Sequence, residues 1–294
     1  MPGMAADPSL LAVGAQEFQL FRDLIHRHTG IWLRDGKEVM LASRLSRRLR
    51  HYRMGSFADY YRYLQNCQDG GQELSELINC VTTNKTAFFR EGHHFRFLAE
   101  RLAPEALAHS RRAGDRHALR IWSAACSSGE EPYSIAITLL EARDRSAGLR
   151  GWGLGVVASD IDTAVLETAR RGVYPEDEVG EMEASLRKKY FLRGREEMAG
   201  SVKVKPQVAA QVDFRRINLM DKAWPLEETF DAIFFRNALI YFRQETQDLF
   251  LRRMIRHLRP QGYLFLGHSE HIPWLHDVLE PLQKTVYRLR SPKA

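Results

Sequence analysis

The sequence predicts a doubly wound α/β domain with a small antiparallel β insert, preceded by an all-helical N-terminal domain. Up to about residue 80, apolar residues recur at helical spacing and no convincing strand is present. After Leu119, short apolar runs alternate with amphipathic segments, a pattern typical of a parallel sheet with crossover helices. We therefore divide the 294 residues into a helical domain (1–80), a linker (81–92) and an α/β domain (93–294), with the insert at 188–216.

Four amphipathic segments build the predicted helical domain. The helices are expected at Phe18–Ile25, Leu41–Tyr52, Phe57–Gln65 and Leu74–Asn79. Thr29-Gly30 ends the first, and Met54-Gly55 breaks the chain after the second. Ten basic and four acidic residues lie between Phe21 and Arg62, so this segment carries the whole formal net charge of +6. An acidic partner would therefore meet the N-terminal region.

Composition narrows the class of protein. Hydrophobic residues make up 44% and charged residues 27%, ordinary values for a globular protein. No run approaches the roughly 20 apolar residues that span a bilayer, and the first residues lack the pattern of a signal peptide, so we expect a cytoplasmic protein. Cys67, Cys80 and Cys126 are far apart and form no CxxC pair, which favours neither a disulfide framework nor a zinc site.

Buried strands and helices alternate through the α/β domain. LRIWSAAC is the first strand, and SSGEEP opens a helix through Leu139. GLGVVASDID is the second strand, with AVLETARRG as the helix behind it. The later strands are FDAIFFRN, QGYLFLGHS and TVYRLR, with QETQDLFLRRMIRHLRP as a helix between the first two. Tyr190-Phe191, VKVKPQV and VDFRRINL are the three predicted strands of the insert, for which an irregular surface loop is the alternative.

Polar residues follow the carboxyl ends of the first two strands, where ligands bind in doubly wound folds. The loop after the first strand contains one glycine, Gly129, and is not the dinucleotide fingerprint. Its two acids, Glu130 and Glu131, favour a cationic ligand, although acids are also ordinary at the start of a helix. Asp160 ends the second strand, where an acceptor for ribose hydroxyls is expected, and Asp162 is expected to cap the following helix.

Two more clusters flank the predicted cleft. Arg236 and Asn237 follow the FDAIFF strand and should reach the cleft, while Tyr241 beyond them is either functional or a packed aromatic residue. Asn218-Leu219, after VDFRRINL, is placed to frame an adenine by a hydrogen bond and an apolar contact. The linker CVTTNKTAFFR is polar and aperiodic, and its plain interpretation is a capped segment in which Thr86 starts a helix.

The strings TTNKTAFFRE, WSAACSSGEEPYSIA, ASDID, FDAIFFRNALIYF and GHSE, in this order, resemble the motifs of the chemotaxis receptor methyltransferase (CheR) family. The resemblance runs from the helical domain to the C-terminal strand. It implies a class I (Rossmann-like) methyltransferase domain with S-adenosylmethionine as cofactor and S-adenosylhomocysteine as product. It also implies that the protein is a protein-glutamate O-methyltransferase, which esterifies glutamate side chains of methyl-accepting chemotaxis receptors.

The resemblance also implies the site residues. Those expected to face the cofactor are Asn84, Thr86, Arg90, an acid of the pair Glu130 and Glu131, Asp160, Asn218, Leu219, Arg236 and Asn237. A glutamate with a pKa near ~4.3 is already ionised at neutral pH, so no general base is required. Arg90 is expected to orient a carboxylate, and Tyr241 to donate a hydrogen bond to the substrate. No metal is expected, because His93-His94 and His268-x-x-His271 fit helix or loop surfaces.

A basic face on the second helix is the expected docking surface for the acidic receptor. It lies beside Leu41, Leu45 and Leu49 and contains Lys37, Arg44, Arg47, Arg48 and His51. The alternative is an ordinary solvated face. The partners implied are the cytoplasmic domains of the receptors, which would recruit the enzyme to membrane receptor arrays without its direct insertion into the membrane.

The insert is a second expected contact with the receptor. An open edge at Val202–Phe214 is expected to pair with the receptor's C-terminal tail peptide, with Lys203 and Lys205 meeting an acid. The alternative is that the lysines blunt this edge.

The residues of the α/β domain also argue against two other functions. An RNA methyltransferase would carry an Asn/Asp-Pro-Pro-Tyr-type motif where this chain reads RNALIYF, so no nucleic acid partner is expected. Intact Arg90, Asp160, Asn237 and Tyr241 speak against an inactive interaction module.

Overall fold

The computed structural model describes residues 12–66, 71–113, 118–149 and 151–291. Its first domain contains the helices α1 (Ala15–Thr29), α2 (Glu38–Tyr52), α3 (Phe57–Asn66) and α4 (Gln72–Val81). Gly30 ends α1 in the left-handed conformation (φ 75°) and donates its backbone N–H to the His26 carbonyl oxygen, 2.8 Å away. Phe21, Leu45 and Leu77 meet in the core of this domain. The four helices predicted from apolar spacing are confirmed.

The second domain alternates strands with helices. It begins with α5 (His93–Phe97), which continues through a π-helical turn (Leu98–Leu102) into α6 (Ala103–Ala113). The later helices are α7 (Glu130–Arg145), α8 (Thr163–Arg171), α9 (Ala184–Tyr190), α10 (Pro206–Ala209) and α11 (Gln244–Ile255). The strands are β1 (Leu119–Ala124), β2 (Leu154–Asp160), β3 (Val173–Pro175), β4 (Phe191–Arg193), β5 (Ser201–Val204), β6 (Val212–Arg216), β7 (Phe230–Phe235), β8 (Leu258–Leu266), β9 (Leu279–Gln283) and β10 (Val286–Leu289). Residues 82–92 of the linker are not helical, so the interpretation that Thr86 starts a helix is wrong.

The main sheet has seven strands in the order β6-β2-β1-β7-β8-β10-β9. The five strands from β6 to β8 are parallel, and β10 pairs antiparallel with both β8 and β9. The chain runs outward from β1 through β2 to β6 and then returns to β7 on the other side of β1. This reversal creates a crevice beyond the carboxyl ends of β1 and β7, where doubly wound sheets bind ligands. The predicted doubly wound fold is confirmed.

A separate antiparallel sheet has the order β3-β5-β4. Two of its strands, β4 and β5, lie where strands of the insert were predicted. VDFRRINL also forms a strand, as predicted, but its assignment to the insert is wrong. Val212–Arg216 is β6, which pairs in parallel with β2, and its Phe214 packs edge-on against Tyr133 of α7. The third strand of the small sheet is β3, three residues directly after α8. That strand is too short to show an alternating pattern in the sequence.

Apolar layers cover both faces of the main sheet. Successive residues of β7, Phe234 and Phe235, are fully buried in opposite layers, as the two-residue repeat of a strand requires. Ile135 of α7 packs in the first layer, and Leu251 and Met254 of α11 pack in the second. No helix in the described parts of the chain is long and apolar enough to cross a membrane.

The helical domain lies against the carboxyl edge of the main sheet. The Trp32 N–H donates to the Tyr241 carbonyl oxygen at 2.8 Å. The Asn79 carboxamide donates to the Thr163 hydroxyl at 2.9 Å and accepts from the Thr163 N–H at 3.0 Å. A Cβ at Gly30 would lie 3.0 Å from a side chain of α11, so this glycine also permits the close approach of the two domains.

Candidate active site

A cavity of about 360 Å³ lies at the switch point of the sheet, within the range of about 300–1,000 Å³ typical of ligand pockets. Its wall combines the α1–α2 loop and the start of α2 with the linker and the loops that follow β1, β2 and β7. The predicted site residues on this wall are Lys37, Asn84, Thr86, Arg90, Glu131, Asp160, Arg236, Asn237 and Tyr241. The structure thus brings together residues from both domains.

Asp160, at the end of β2, forms part of the cavity floor. Its Oδ2 accepts the Ser127 N–H at 2.8 Å, and its Oδ1 accepts the Asp162 N–H at 2.9 Å. Burial raises the pKa of Asp160 to about 6, although these backbone donors favour the carboxylate. The group is therefore ionised at neutral pH. Each of its oxygens retains a further lone pair that can accept a hydroxyl.

The loop after β1 reaches Asp160 through strained backbone. Ala125 and Ser127 have φ angles of 57° and 52°, in the left-handed region. Gly129 has a φ of 101°, and a Cβ there would lie 2.8 Å from the Ala169 Cβ. Glycine is therefore needed at this position for the packing of the loop against α8, whereas the cavity is contacted by the residues before it.

The pair Glu130-Glu131 divides between two environments. The Glu131 carboxylate lines the cavity, accepts the Ser123 hydroxyl at 2.8 Å and lies 3.0 Å from Nη1 of Arg236. Glu130 accepts the Ser128 hydroxyl at 2.8 Å and is absent from the wall. Burial raises the pKa of Glu130 to about 7. The geometry favours Glu131 as the acid that meets a ligand, and the expectation for Glu130 is corrected because its side chain points away from the cavity.

Arg236, at the end of β7, connects three segments. Only 6% of it is exposed. Its Nη1 pairs with Glu131, its Nη2 lies 3.2 Å from Oε2 of Glu91, and Nη2 also donates to the Arg90 carbonyl oxygen. Its positive charge is thereby matched by two carboxylates. Arg236 thus holds the linker against α7, and Glu131 presents the acidic surface beside it.

Glu91 is a site residue that our sequence reasoning missed. Its Oε1 accepts Nδ2 of Asn237 at 3.3 Å and the backbone N–H of His268 at 3.2 Å. Burial opposes its ionisation, but the Arg236 charge and these donors lower the pKa of Glu91 to about 2. The final E of TTNKTAFFRE could have indicated this role, because a buried arginine such as Arg236 needs carboxylate partners.

The prediction that His93-His94 lies on a surface is wrong for His94, which is fully buried. Potential ligand atoms of Glu91, His93 and His94 lie within 4.8 Å of one another. Burial and the nearby charge of Arg236 lower the pKa of His94 to about 3, so its imidazole is neutral. The guanidinium of Arg236 already provides the positive counter-charge for Glu91 in this cluster.

The linker is tied to the start of α8. Nδ2 of Asn84 donates to Oδ2 of Asp162 at 2.7 Å, and the Thr82 hydroxyl donates to the same oxygen at 2.6 Å. Oδ1 of Asp162 accepts the Ala164 N–H at 2.9 Å, which confirms the predicted helix cap. Nη1 of Arg90 donates to the Lys85 carbonyl oxygen at 3.0 Å, so the linker folds back on itself beside the cavity.

Two predicted adenine contacts lie elsewhere. Nδ2 of Asn218 donates to the His28 carbonyl oxygen at 2.7 Å, and the Leu219 carbonyl oxygen accepts Nη1 of Arg253 at 2.8 Å. Neither Asn218 nor Leu219 is on the cavity wall. This expectation is corrected because the Asn218 carboxamide is used to join the helical domain to the chain after β6.

The basic face of α2 is smaller than the helical wheel predicts. Nη1 of Arg44 donates to the Thr82 carbonyl oxygen at 2.9 Å, and Arg48 forms an ion pair with the buried Glu73. These two arginines fasten α2 to the linker and to α4, which corrects their assignment to a free docking surface. Lys37 and Arg47 are exposed, and Lys37 also lines the cavity.

Known proteins resemble this chain over most of its length. Residues 84–288 match the family described as "CheR methyltransferase, SAM binding domain", and residues 16–82 match "CheR methyltransferase, all-alpha domain". "Chemotaxis protein methyltransferase 2" of Pseudomonas aeruginosa is 46% identical over 273 residues, which are 92% of each chain. The "Chemotaxis protein methyltransferase" of Escherichia coli (strain K12) is 43% identical and covers 95% of this chain and 92% of its own.

The fold, the cavity and the matched domain define an S-adenosylmethionine-dependent methyltransferase. The donor set fits this cofactor, because Asp160 can accept ribose hydroxyls and Glu131 can face a cationic group. The protein belongs to the CheR methyltransferase family. The family, the fold class and the cofactor predicted from the sequence are confirmed.

Proposed function

We propose that this protein transfers a methyl group from S-adenosylmethionine to glutamate side-chain carboxylates of chemotaxis receptors, forming methyl esters and S-adenosylhomocysteine. The matched SAM-binding domain and the names of the relatives support the receptor as substrate. The division of charge across the cavity supports the carboxylate as acceptor. Asp160 and Glu131 make the inner wall acidic, while exposed Arg34, Lys37 and Lys85 line the same cavity.

The residues on the wall are suited to positioning rather than to proton transfer. Bound S-adenosylmethionine supplies an electrophilic methyl group on a sulfonium centre. One C–S bond breaks and one C–O bond forms, and no proton moves because a carboxylate with a pKa near ~4.3 is already ionised. Asp160 would hold the ribose, and Glu131 would face the cationic end of the cofactor, since both line the cavity. Arg90 and Tyr241, which both line the cavity, orient the substrate carboxylate.

The receptor helix docks on the exposed cations beside this cavity. Lys37 lies at its rim, and Arg47 is exposed about three turns further along the chain, in α2. An acidic helix that carries glutamates complements this positive charge. Arg44 and Arg48 stabilise the position of α2 because they bind the linker and α4.

A second contact recruits the enzyme to receptor arrays through a receptor tail peptide. β5, which contains Lys203, is the central strand of the small sheet, so its edges cannot accept another strand. β4 is an edge strand, and its Leu192 is 50% exposed. The tail therefore pairs with β4 rather than with the predicted edge at Val202–Phe214. On titration with a tail peptide, backbone amide shifts should centre on Phe191–Arg193, and no shifts at millimolar peptide would refute the contact.

Methyl transfer to receptors tests the main proposal directly. Purified protein is incubated with methyl-labelled S-adenosylmethionine and membranes that contain a chemotaxis receptor. We expect label in the receptor band that is released as methanol by mild alkali, because carboxylate methyl esters are alkali-labile. Receptors in which the methylated glutamates are replaced by alanine provide the matched control. Label that is stable to alkali, or that persists in the alanine receptor, would contradict the assignment to glutamate.

A further inference from the structure

The GHSE motif after β8 holds the loop that carries Asn237 and Tyr241. Glu270 is only 3% exposed and is absent from the cavity wall. Its Oε2 accepts the Asn237 N–H at 2.9 Å and the Gly267 N–H at 2.6 Å, and its Oε1 accepts the Leu239 N–H at 2.9 Å. One buried carboxylate therefore satisfies three backbone donors on two loops.

The loop held in this way has an unusual backbone. Asn237 has a φ of 59°, in the left-handed region that a residue with a side chain rarely adopts. A 3₁₀ turn at Leu239–Tyr241 follows directly. The Glu270 oxygens accept the N–H groups of Asn237 and Leu239, the strained residue and the first residue of the turn. They therefore fix the direction in which the chain leaves β7 and enters the turn that presents Tyr241.

The remainder of the motif closes on the same loop. A Cβ at Gly267 would lie 2.2 Å from Nδ2 of Asn237 and 2.9 Å from its backbone nitrogen. Nδ1 of His268 lies 3.2 Å from Oε1 of Glu91, the oxygen that accepts the Asn237 side chain. The motif thus restrains the Asn237 main chain, leaves room for its side chain and contacts the linker residue beside it.

We infer that Glu270 is a positioning residue for methyl transfer, which acts through Asn237 and Tyr241 and not by contact with a ligand. This inference rests on the proposed function of the cavity. A glutamine at this position keeps the size of the side chain but turns an N–H donor toward backbone N–H donors. The loop must then shift, and displacement of a positioning group by about 1 Å can lower a rate about 100-fold.

The test compares Glu270→Gln with Asp231→Asn. Asp231 is a matched control because it lies at the opposite end of β7, where it accepts the Arg120 N–H at 2.8 Å and pairs with Arg259 at 2.7 Å. Thermal unfolding, S-adenosylhomocysteine affinity by calorimetry, and kcat on receptor-containing membranes are measured for each. We expect kcat to fall about 10- to 100-fold in folded Glu270→Gln. In Asp231→Asn only stability should fall, and kcat should stay at the wild-type value.

A double variant separates positioning from general stabilisation. If Glu270 acts through Tyr241, then Glu270→Gln with Tyr241→Phe should lose no more activity than Glu270→Gln alone. Fully multiplicative losses, or wild-type kcat in folded Glu270→Gln, would overturn the inference. If Glu270→Gln does not fold, Gly267→Ala displaces the same loop with Glu270 intact, and wild-type kcat in that folded variant would overturn it. A wild-type protein without methylation activity would instead refute the proposed function.

Discussion

Replacement of Asp160 by asparagine tests the centre of the proposed cofactor site. The carboxylate accepts backbone N–H groups from Ser127 and Asp162, one on each oxygen. Asparagine has nearly the same shape, but its NH₂ group must face one of these donors. The variant therefore loses negative charge and one acceptor at the position where ribose hydroxyls are expected to bind, without opening a cavity in the core.

The expected loss follows from the number of hydrogen bonds affected. A hydrogen bond to a charged group contributes about 1.5–3 kcal/mol. One ribose bond is lost and the other becomes a neutral bond, so cofactor binding should weaken by about 2–4 kcal/mol. At about 1.4 kcal/mol per factor of ten, this corresponds to about 30- to 1,000-fold in Kd. The unpaired N–H should also lower the free energy of unfolding by about 1–3 kcal/mol.

Calorimetric titration with S-adenosylhomocysteine measures the change in affinity. Asp213→Asn is the control, since Asp213 is an exposed carboxylate on the neighbouring strand β6 and pairs with Arg215 at 2.7 Å. Circular dichroism verifies that both variants are folded. A folded Asp160→Asn protein that binds the ligand within about threefold of wild type, a difference well under 1 kcal/mol, would refute the role of Asp160 as ribose acceptor.

Three further predictions concern the cavity wall and the basic face of α2. Burial raises the pKa of Asp160 to about 6, and only its ionised form can accept both ribose hydroxyls. The affinity for S-adenosylhomocysteine, measured by calorimetry, should therefore fall up to about tenfold per pH unit below pH 6. Asp160→Asn should lose this pH dependence. Tyr241→Phe should lower kcat about 10- to 100-fold in the receptor methylation assay and leave cofactor affinity unchanged; wild-type kcat would make Tyr241 a packing residue. Lys37→Glu with Arg47→Glu should raise KM for receptor membranes at low salt, with a smaller effect at high salt. Arg44→Glu should lower the melting temperature instead, because it breaks the bonds to the linker, and equal behaviour of the two sets would contradict our division of this face.

The sequence predicted elements whose signals are local. The four N-terminal helices have long apolar repeats and clear stop signals, so their existence followed from spacing alone. β3 has three residues, and its only partner in the small sheet is β5, about 30 residues later in the chain. Its identity as a strand comes from that pairing and not from its own residues. VDFRRINL alternates like a strand, but nothing within it shows whether its partner is β2 or β5.

Site residues were predictable where the strand end itself determines their position. Asp160 is the last residue of β2 and Asn237 follows the end of β7 by two residues, so the topology places both at the crevice. The choice between Glu130 and Glu131 was not predictable, because adjacent residues at a helix start point about 100° apart and the sequence does not fix the rotation of α7. Glu91 and Glu270 were missed because their partners on the RNALIYF loop are 146 and 33 residues away in sequence.

The helical wheel of α2 shows a related limit. It correctly places Arg44 and Arg48 on one face with Lys37, beside the leucine stripe. It contains no information on the linker and α4, which cover part of that face and take two of its guanidinium groups as partners. Charge on a helix therefore predicts a docking surface only where no other segment of the chain reaches it.

The cavity wall that is shared between the two domains has a thermodynamic consequence. A ligand that needs both Trp32 of the α1–α2 loop and Asp160 of β2 binds only while the domains are folded and in contact. Its binding free energy then adds to the stability of the contact between the domains, by about 2.7 kcal/mol at a ligand concentration of 100 Kd. Saturating S-adenosylhomocysteine should therefore merge the unfolding of the two domains into a single transition, and the α/β domain expressed alone should lack this coupling.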